Sequence, residues 1–293
     1  MRKILLVGKN GQVGWELLRT LSPLGKVIAL DQEDMDLSKP DAIRKKVREI
    51  HPGLVVNAAA YTAVDKAESD PDLAMKVNGT APGLLAEEAK KINAPIVHYS
   101  TDYVFDGSKA GAYAEEDATH PLSVYGSTKL AGEEAVRQSG ADHLIFRTSW
   151  VYGTRGHNFL LTMLRLARER EELKIIDDQI GAPTWSRMIA EATSLALVQF
   201  LASPQGKSGT YHLTSGGSTS WYGFTKAILE KLEKKPRLVP IPTEDYPLPA
   251  VRPKNSILSN EKLESAFGLA LPDWSICLEL CMTDPASHAG NRI

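Results

Sequence analysis

The sequence predicts an α/β protein with a Rossmann-like, doubly wound parallel sheet and a smaller C-terminal substrate-binding lobe. Two observations carry this prediction. Short, mainly apolar segments alternate with segments of helical periodicity over the first 150 residues, which is the pattern of a sheet with helices on both faces. The first apolar segment also runs directly into a glycine-rich turn that opens a helix. Crossover connections between such strands are right-handed.

The strands of this sheet are predicted from short segments rich in apolar residues. They cover residues 4–7, 27–30, 54–56, 95–100 and 143–148. The intervening segments place apolar residues three and four apart, which is typical of helices that bury one face. These helices are predicted at residues 13–21, 42–50, 73–92 and 127–138. The third of them contains Pro82 and must kink or break there, because proline removes a backbone hydrogen bond.

The chain is predicted to divide near residue 150. Residues 1–150 form the dinucleotide-binding domain and residues 151–293 mainly the substrate-binding lobe, with segments near 174–213 able to return to the main sheet. Further helices are predicted at 159–170, 188–202 and 222–233. The proline-rich segment 236–253 is interpreted as a wrapped loop, and residues 283–293 lack apolar periodicity, which predicts loose order.

Composition excludes several classes of protein. With 34 Lys and Arg against 36 Asp and Glu, the net charge is −2, so no basic field favours a nucleic-acid partner. No apolar segment approaches the roughly 20 residues of a membrane span, and no signal peptide is expected. Cys277 and Cys281 are too few for a disulfide framework and favour a reducing compartment, the cytoplasm. We interpret them as buried or spare thiols.

The glycine-rich turn is the first candidate site. Gly8, Gly11 and Gly14 have GxxGxxG spacing between a predicted strand and a predicted helix, a context that allows a pyrophosphate to approach backbone N–H groups at the helix N-terminus. Asp31 follows the second strand, where an acidic residue accepts hydrogen bonds from the adenosine ribose. This favours NADH, with NADPH tolerated. The alternative is that Asp31 only forms part of a turn.

A second candidate site lies later in the chain. Tyr125 and Lys129 are four residues apart and share a face of the predicted helix. A neighbouring ammonium is expected to lower the pKa of the phenol and make it an effective proton donor for reduction of a carbonyl. Ser100 and Thr101, at the end of the fourth strand, supply hydroxyls for the substrate oxygen, since strand carboxyl ends bind ligands in such sheets.

With these motifs in place, the sequence resembles the extended short-chain dehydrogenase/reductase superfamily and, within it, the family of dTDP-4-dehydrorhamnose reductases. The resemblance covers nearly the whole chain. It is carried by the segments 8–14, 57–66 (NAAAYTAVDK), 100–105 (STDYVF), 125–133, 147–153 (RTSWVYG), 178–184 (DQIGAPT) and 252–256 (RPKNS).

The resemblance implies NAD(P)H-dependent reduction of the C4 ketone of dTDP-4-dehydro-L-rhamnose to dTDP-L-rhamnose. It implies Thr101, Tyr125 and Lys129 as catalytic residues. The implied substrate contacts are Thr101, Asp102, Trp150 and Arg252, although an arginine in this loop can instead only tie two lobes together. The implied cofactor contacts are Gly8, Asn10, Gly11, Gln12, Val13, Gly14, Asp31, Asp36, Leu37, Ala60, Tyr61, Thr62, Tyr125 and Lys129.

Two other functions stay open from the sequence. The first is another sugar-nucleotide 4-reductase or an epimerase, which uses the same Tyr and Lys. The second is a catalytically silent NAD(P)-binding regulatory subunit, against which the intact catalytic trio argues. Dehydration is disfavoured, because the Asp-Glu pair of the superfamily's dehydratases is replaced by Asp102-Tyr103.

The sequence predicts little about metals and partner chains. The histidines are scattered and predict no protein metal site, and His98, inside an apolar strand, is interpreted as a core residue. The resemblance implies that two chains can form a homodimer, in some members through a divalent ion, but no residue in the sequence identifies such a contact.

Overall fold

The computed structural model describes residues 1–204, 206–233 and 235–284, so most of the segment predicted to be loosely ordered lies outside the described residues. The strands are β1 (Lys3–Val7), β2 (Lys26–Leu30), β3 (Leu54–Asn57), β4 (Ile96–Thr101), β5 (His143–Thr148), β6 (Val151–Tyr152), β7 (Glu172–Ile176), β8 (Ile180–Gly181), β9 (Thr184–Trp185), β10 (Gly209–His212), β11 (Thr219–Ser220), β12 (Arg237–Ile241) and β13 (Asn255–Ser256). The α-helices are α1 (Gln12–Thr20), α2 (Pro40–Ile50), α3 (Val64–Ala67), α4 (Pro71–Ala74), α5 (Ala81–Lys91), α6 (Val124–Gln138), α7 (Phe159–Glu169), α8 (Ser186–Ala202), α9 (Trp221–Glu230), α10 (Glu261–Phe267) and α11 (Trp274–Thr283).

A six-stranded sheet forms the centre of the molecule. Its strands are ordered β10-β5-β4-β3-β1-β2, and every neighbouring pair is parallel. The predicted doubly wound α/β fold is therefore confirmed. The chain leaves β1 toward β2 on one side and returns to β3 on the other, so the order reverses between β1 and β3. Parallel α/β sheets bind ligands at the carboxyl ends of the strands at such a switch point.

Both faces of the sheet are covered, which explains the wholly apolar strands. Leu6 of β1 packs in one core layer with Leu17 of α1 and Ile189 of α8. Leu5, its neighbour in β1, faces the opposite layer with Val47 of α2. Successive side chains of a strand point to opposite faces, so a strand covered by helices on both sides has no polar face.

The helix that contains Pro82 changes its winding before the proline. A π-helical segment, Met75–Thr80, separates α4 from α5, and this wider winding directly before Pro82 accommodates a residue that has no N–H to donate. The segment packs tightly on α6: a Cβ at Gly132 would lie 2.1 Å from the carbonyl oxygen of Asn78. This close packing helps to position α6, the helix that carries Tyr125 and Lys129.

The C-terminal half contributes one strand to the main sheet and forms smaller sheets of its own. β10 pairs with β5 at the edge of the main sheet, whereas β7 pairs with β12. The interpretation of 236–253 as loop throughout was wrong for β12. Pro240 is tolerated there because β12 is the edge of a two-stranded sheet. Across the described ranges, no helix is both long and apolar enough to cross a membrane.

Candidate active site

A crevice of about 710 Å³ opens at the carboxyl ends of the central strands. It is lined by many of the residues predicted from the sequence. They are Gly8, Asn10, Gly11, Gln12, Val13, Asp31, Ala60, Thr62, Tyr125 and Lys129. In sequence, 111 residues separate Gly14, at the end of the glycine-rich turn, from Tyr125. In the fold, the turn and the Tyr125–Lys129 pair meet at the switch point of the sheet.

The glycines of the turn bring three backbone segments together. Gly8 has φ +89°, and a Cβ there would lie 2.7 Å from the backbone nitrogen of Ala59, after β3. A Cβ at Gly14 would lie 2.0 Å from the carbonyl oxygen of Gly8. Helix α1 therefore begins directly against the end of β1. Gly11 precedes this helix and provides no side-chain cap, so the first N–H groups of α1 can serve an anionic ligand.

Asp31 lies in the crevice lining beyond β2. Its carboxylate accepts hydrogen bonds from the Asn10 side chain and from the backbone N–H of Glu33, the latter at 3.2 Å. Lys9 is engaged by Asp34 at 2.5 Å rather than by Asp31. The arrangement leaves a carboxylate at the place where a ribose is expected, with the nearest lysine already paired.

Four predicted cofactor residues lie outside the lining. Gly14 acts through helix packing, Leu37 is buried in the core, and Asp36 accepts hydrogen bonds from the backbone and hydroxyl of Ser38. Tyr61 is held by Asn78, whose Oδ1 accepts from its backbone N–H at 2.8 Å and whose Nδ2 donates to its carbonyl at 3.0 Å.

Other lining residues were missed by the sequence reasoning. They are Gln32, Glu33, Ala58, Ala59, Tyr99, Ser100 as a cofactor contact, Thr148, Val151, Gly156 and His157. Most follow or end a strand of the central sheet, and that position was the signal that could have identified them. Gly156 and His157 belong to a loop that only tertiary structure brings here: Asn158 donates a hydrogen bond to the Gln12 side chain at 2.9 Å.

Tyr125 is positioned by the start of α6. The hydroxyl of Ser123 caps this helix by accepting from the N–H of Gly126 at 3.2 Å, so Tyr125 lies in the first turn and Lys129 one turn later. Thr101, at the end of β4, places its hydroxyl beside the phenol of Tyr125. The structure therefore brings the three predicted catalytic residues together from β4 and α6.

The expected lowering of the Tyr125 pKa was wrong. Burial raises the pKa of Tyr125 to about 12, the neighbouring Thr101 hydroxyl opposes this rise, and the nearby Asp102 carboxyl adds to it. The ammonium of Lys129 does not provide the expected compensation, because it turns toward the sheet and donates to the carbonyl of Tyr99 at 2.6 Å. Tyr125 is consequently a neutral phenol at physiological pH.

Lys129 is itself almost fully buried, with 2% of its surface exposed. Burial lowers its pKa to about 8, against the opposing effect of Glu133 one turn later on α6. Glu133 is held by a bidentate pair with Arg147 of β5, at 2.9 and 2.7 Å. This buried ion pair connects the catalytic helix to the central sheet.

Asp102 lies beside the catalytic hydroxyls. Its Oδ1 accepts a hydrogen bond from Thr101 at 3.0 Å, whereas Oδ2 is buried and has no partner among the described residues. Burial raises the pKa of Asp102 to about 6, and the hydroxyls of Ser256 and Thr101 limit this rise. A buried acceptor without a partner is costly, which makes Asp102 suited to contact a hydroxylated ligand.

Trp150 and Arg252 are placed by contacts with other elements. Trp150 has φ +48° and stacks on Trp221, with ring centroids 3.5 Å apart. Arg252 forms a bidentate ion pair with Asp65, at 3.0 and 2.8 Å. The pair joins the C-terminal half to α3, so Arg252 ties two parts of the molecule together in the absence of a ligand.

Comparison with known proteins decides the family. A family model described as the RmlD substrate binding domain matches residues 1–286. The dTDP-4-dehydrorhamnose reductase of Burkholderia thailandensis is 53% identical over 297 residues, covering 98% of this chain and 100% of that protein. The chain belongs to the dTDP-4-dehydrorhamnose reductase family. The Escherichia coli K12 member is 49% identical and covers 93% of this chain and 94% of its own.

Solved structures of the dTDP-4-dehydrorhamnose reductase family share the whole fold. The Clostridium acetobutylicum member superposes with a TM-score of 0.89 at 38% identity, covering 96% of this chain and 98% of its own. The Bacillus anthracis member, described in complex with NADP, has the same TM-score at 34% identity and the same coverages. The family membership makes this chain an oxidoreductase and confirms the resemblance drawn from the motifs.

Within residues 1–204, 206–233 and 235–284, no group of three or more His, Cys, Asp or Glu side chains is placed to hold a metal ion. Cys277 and Cys281 are both buried free thiols of α11.

Proposed function

We propose that this enzyme reduces the C4 ketone of dTDP-4-dehydro-L-rhamnose to dTDP-L-rhamnose with NADH or NADPH. The observation that carries the proposal is that Tyr125 and Lys129 line the glycine-turn crevice, with Thr101 beside the phenol of Tyr125. The names of the relatives indicate the sugar nucleotide, and the NADP complex of the B. anthracis member supports the cofactor class.

The crevice fits a dinucleotide. The glycine turn leaves backbone N–H groups at the start of α1 for a diphosphate, and Asp31 offers acceptors for a ribose. Thr148 lines the same crevice, and its buried hydroxyl has no partner in the described part of the chain. Such a hydroxyl is available to a bound ligand. When bound, the nicotinamide supplies the hydride for the C4 carbon.

Tyr125 is the proton donor in this proposal. Its pKa of about 12 keeps the phenol protonated at neutral pH, so it can donate a hydrogen bond to the C4 oxygen and give up its proton as negative charge develops there. Thr101 lies beside the phenol, and its hydroxyl donates to Oδ1 of Asp102 at 3.0 Å, which holds that carboxyl next to the reacting groups. Asp102 holds a sugar hydroxyl with its unpartnered Oδ2.

Oxidation of NADH and NADPH in the presence of dTDP-4-dehydro-L-rhamnose tests the proposal. We expect substrate-dependent loss of nicotinamide absorbance and formation of dTDP-L-rhamnose. If nicotinamide absorbance is lost only with a different 4-keto sugar nucleotide, the enzyme is another reductase. Interconversion of sugar nucleotides without net oxidation of the cofactor would indicate an epimerase. Cofactor binding without turnover on any sugar nucleotide would indicate the silent regulatory subunit.

Asp31 is proposed to favour NADH over NADPH. In Asp31→Ala, the ratio of kcat/KM for NADH to that for NADPH is expected to fall at least about tenfold, because charge-assisted hydrogen bonds to the ribose are lost and repulsion of a 2′-phosphate is removed. Asp41→Ala is the matched control, since Asp41 is a fully exposed carboxylate on α2. An unchanged ratio in Asp31→Ala would show that Asp31 only shapes the turn.

Arg252 is proposed to bind the diphosphate of the substrate. Arg252→Met is expected to raise KM for the sugar nucleotide at least about tenfold, because a guanidinium pairs strongly with phosphate oxygens. Asp65→Asn is the informative control: it breaks the ion pair but keeps the guanidinium. Equal losses in both variants would mean that Arg252 serves only to tie the two parts of the molecule together.

The proposal also includes the location of the enzyme, the roles of its two parts and its association. We place the enzyme in the cytoplasm, which its two free thiols support. We assign residues 1–150 to dinucleotide binding and residues 151–293 mainly to the substrate. Homodimer formation stays a prediction.

A further inference from the structure

The loop of residues 153–158 connects β6 to α7 and reaches the cofactor crevice. Its residues Gly156 and His157 line the crevice together with Gly11 and Gln12 at the start of α1. A Cβ at Gly156 would lie 3.7 Å from Cγ of Gln12, so the 153–158 loop lies directly against the first turn of α1. The chemistry proposed above uses no residue of this loop.

Asn158 fixes the inner end of the loop. Its side chain is 6% exposed. Nδ2 of Asn158 donates to Oε1 of Gln12 at 2.9 Å and to the carbonyls of Gly153 and Arg155 at 2.9 and 3.1 Å. Its Oδ1 caps α7 by accepting from the N–H of Leu161 at 3.0 Å. One buried amide therefore ties the loop both to α1 and to α7.

Arg155 fixes the outer end of the loop. Its guanidinium carbon lies 3.3 Å from the ring centroid of Trp15, which is one turn after Gly11 on α1. The face of an indole ring attracts a cation. Two side chains of the loop thus hold it on α1, and His157 is the residue between them.

The crevice offers few cations to a dinucleotide. Its lining contains the acidic residues Asp31 and Glu33, and the Lys129 amine is engaged by the carbonyl of Tyr99. Among the lining residues in the described ranges, His157 is the other side chain that can carry a positive charge. A diphosphate brings two negative charges into this space, and unpaired charge is costly to desolvate.

The imidazole of His157 is free to meet that need. It is exposed, and within the described part of the chain no hydrogen bond or ion pair engages it. An imidazole carries at least one N–H donor in either protonation state. The first N–H groups of α1 serve a diphosphate from the glycine turn, and the loop adds a side-chain donor from a separate segment.

We propose that His157 binds the diphosphate of the dinucleotide cofactor and that Arg155 is a positioning residue, which holds His157 in place by stacking on Trp15. The proposal rests on the cofactor binding that the reductase function requires. NADH and NADPH share the diphosphate, so His157 contributes equally to both. The choice between the two cofactors stays with Asp31.

Titration of the full chain with NADH, NADPH and ADP-ribose tests the proposal without substrate or turnover. His157→Ala is expected to raise the Kd of all three ligands by the same factor, at least about fivefold, because each loses a hydrogen bond to a charged phosphate. His157→Gln keeps an N–H donor on a side chain of similar length, and its Kd values should stay within about twofold of the wild type. Isothermal calorimetry measures the three constants.

The three ligands and a control variant locate the contact. His51→Ala removes another exposed imidazole, at the end of α2 just before β3, and should leave all three Kd values unchanged. A loss for NADH and NADPH with an unchanged Kd for ADP-ribose would place His157 at the nicotinamide half and overturn the proposal. A loss confined to NADPH would place it at the 2′-phosphate and would also overturn it.

A double-mutant cycle tests the role of Arg155. Arg155→Met should raise the Kd of ADP-ribose about two- to fivefold, the scale of an exposed cation–π contact. In the His157→Ala background the same substitution should have no further effect, because Arg155 acts through His157. Additive losses would show that Arg155 acts independently and would overturn its positioning role.

The titration also separates this proposal from the function on which it rests. A wild type that binds NADH or NADPH, with unchanged Kd values in His157→Ala, would overturn the assignment of His157 while the reductase function stands. A wild type that binds none of the three ligands would contradict the proposed function and this assignment together.

Discussion

Tyr125→Phe is expected to lower kcat at least about 100-fold, the usual contribution of a positioned acid or base, while NADH and NADPH still bind. The variant keeps the ring, which packs edge-to-face on Tyr103 with centroids 5.6 Å apart, and removes only the hydroxyl. Single-turnover rates and cofactor titration of the same preparation separate the chemical step from binding.

A matched loss of one phenol hydroxyl serves as the control. Tyr211→Phe removes a hydroxyl that donates to the carbonyl of Lys207 at 2.9 Å, near the edge of the sheet, and should retain wild-type turnover. Wild-type kcat in Tyr125→Phe would remove Tyr125 from the proton transfer.

Arg147→Met is expected to destabilise the protein by roughly 3–5 kcal/mol, because it leaves the buried Glu133 carboxylate without its main partner. The side chains of Arg147 and Glu133 are 4% and 0% exposed. Burial alone would raise the pKa of Glu133, but the hydrogen bonds from Arg147 outweigh it and hold the pKa below the usual range. Chemical denaturation at neutral pH measures the loss.

The sign of the pH dependence follows from the lowered pKa of Glu133. The stabilisation is present above the ordinary glutamate pKa and is lost as pH falls through the lower, folded-state value. The difference between wild type and Arg147→Met should therefore shrink in acid. Arg137→Met, which removes a more exposed contact to the same carboxylate at 3.1 Å, should cost less than about 1 kcal/mol. Equal losses in the two variants would contradict the account of the buried pair.

The sequence predicted the parts of the fold that local pattern determines. The five strands of the first half are rich in apolar residues because helices cover both faces of the sheet, and the glycine spacing predicts the turn at Gly8. Strand β12 was missed, because Pro240 disfavours a strand unless its neighbour leaves it at an edge. The π-helical segment was predicted only as a break, since no local pattern specifies how α6 packs against Asn78.

The candidate site, like the fold, was predicted where local sequence pattern determines it and not where tertiary packing does. The spacing of Tyr125 and Lys129 predicted that both face the crevice, because four residues make one helical turn. Their ionisation could not be predicted that way: it depends on burial and on the carbonyl of Tyr99, which β4 brings from 30 residues earlier. His98 was interpreted as a core residue, and it is buried, but its contact with Lys129 depends on the packing of α6 on the sheet.

The transfer of deuterium tests the central claim most directly. The enzyme is incubated with dTDP-4-dehydro-L-rhamnose and NADH or NADPH deuterated on the transferred position of the nicotinamide, and the product is analysed by NMR and mass spectrometry. The account predicts dTDP-L-rhamnose with deuterium on C4 of the sugar and one equivalent of oxidised cofactor. Product that carries no deuterium on C4, or forms without oxidation of the cofactor, would contradict it.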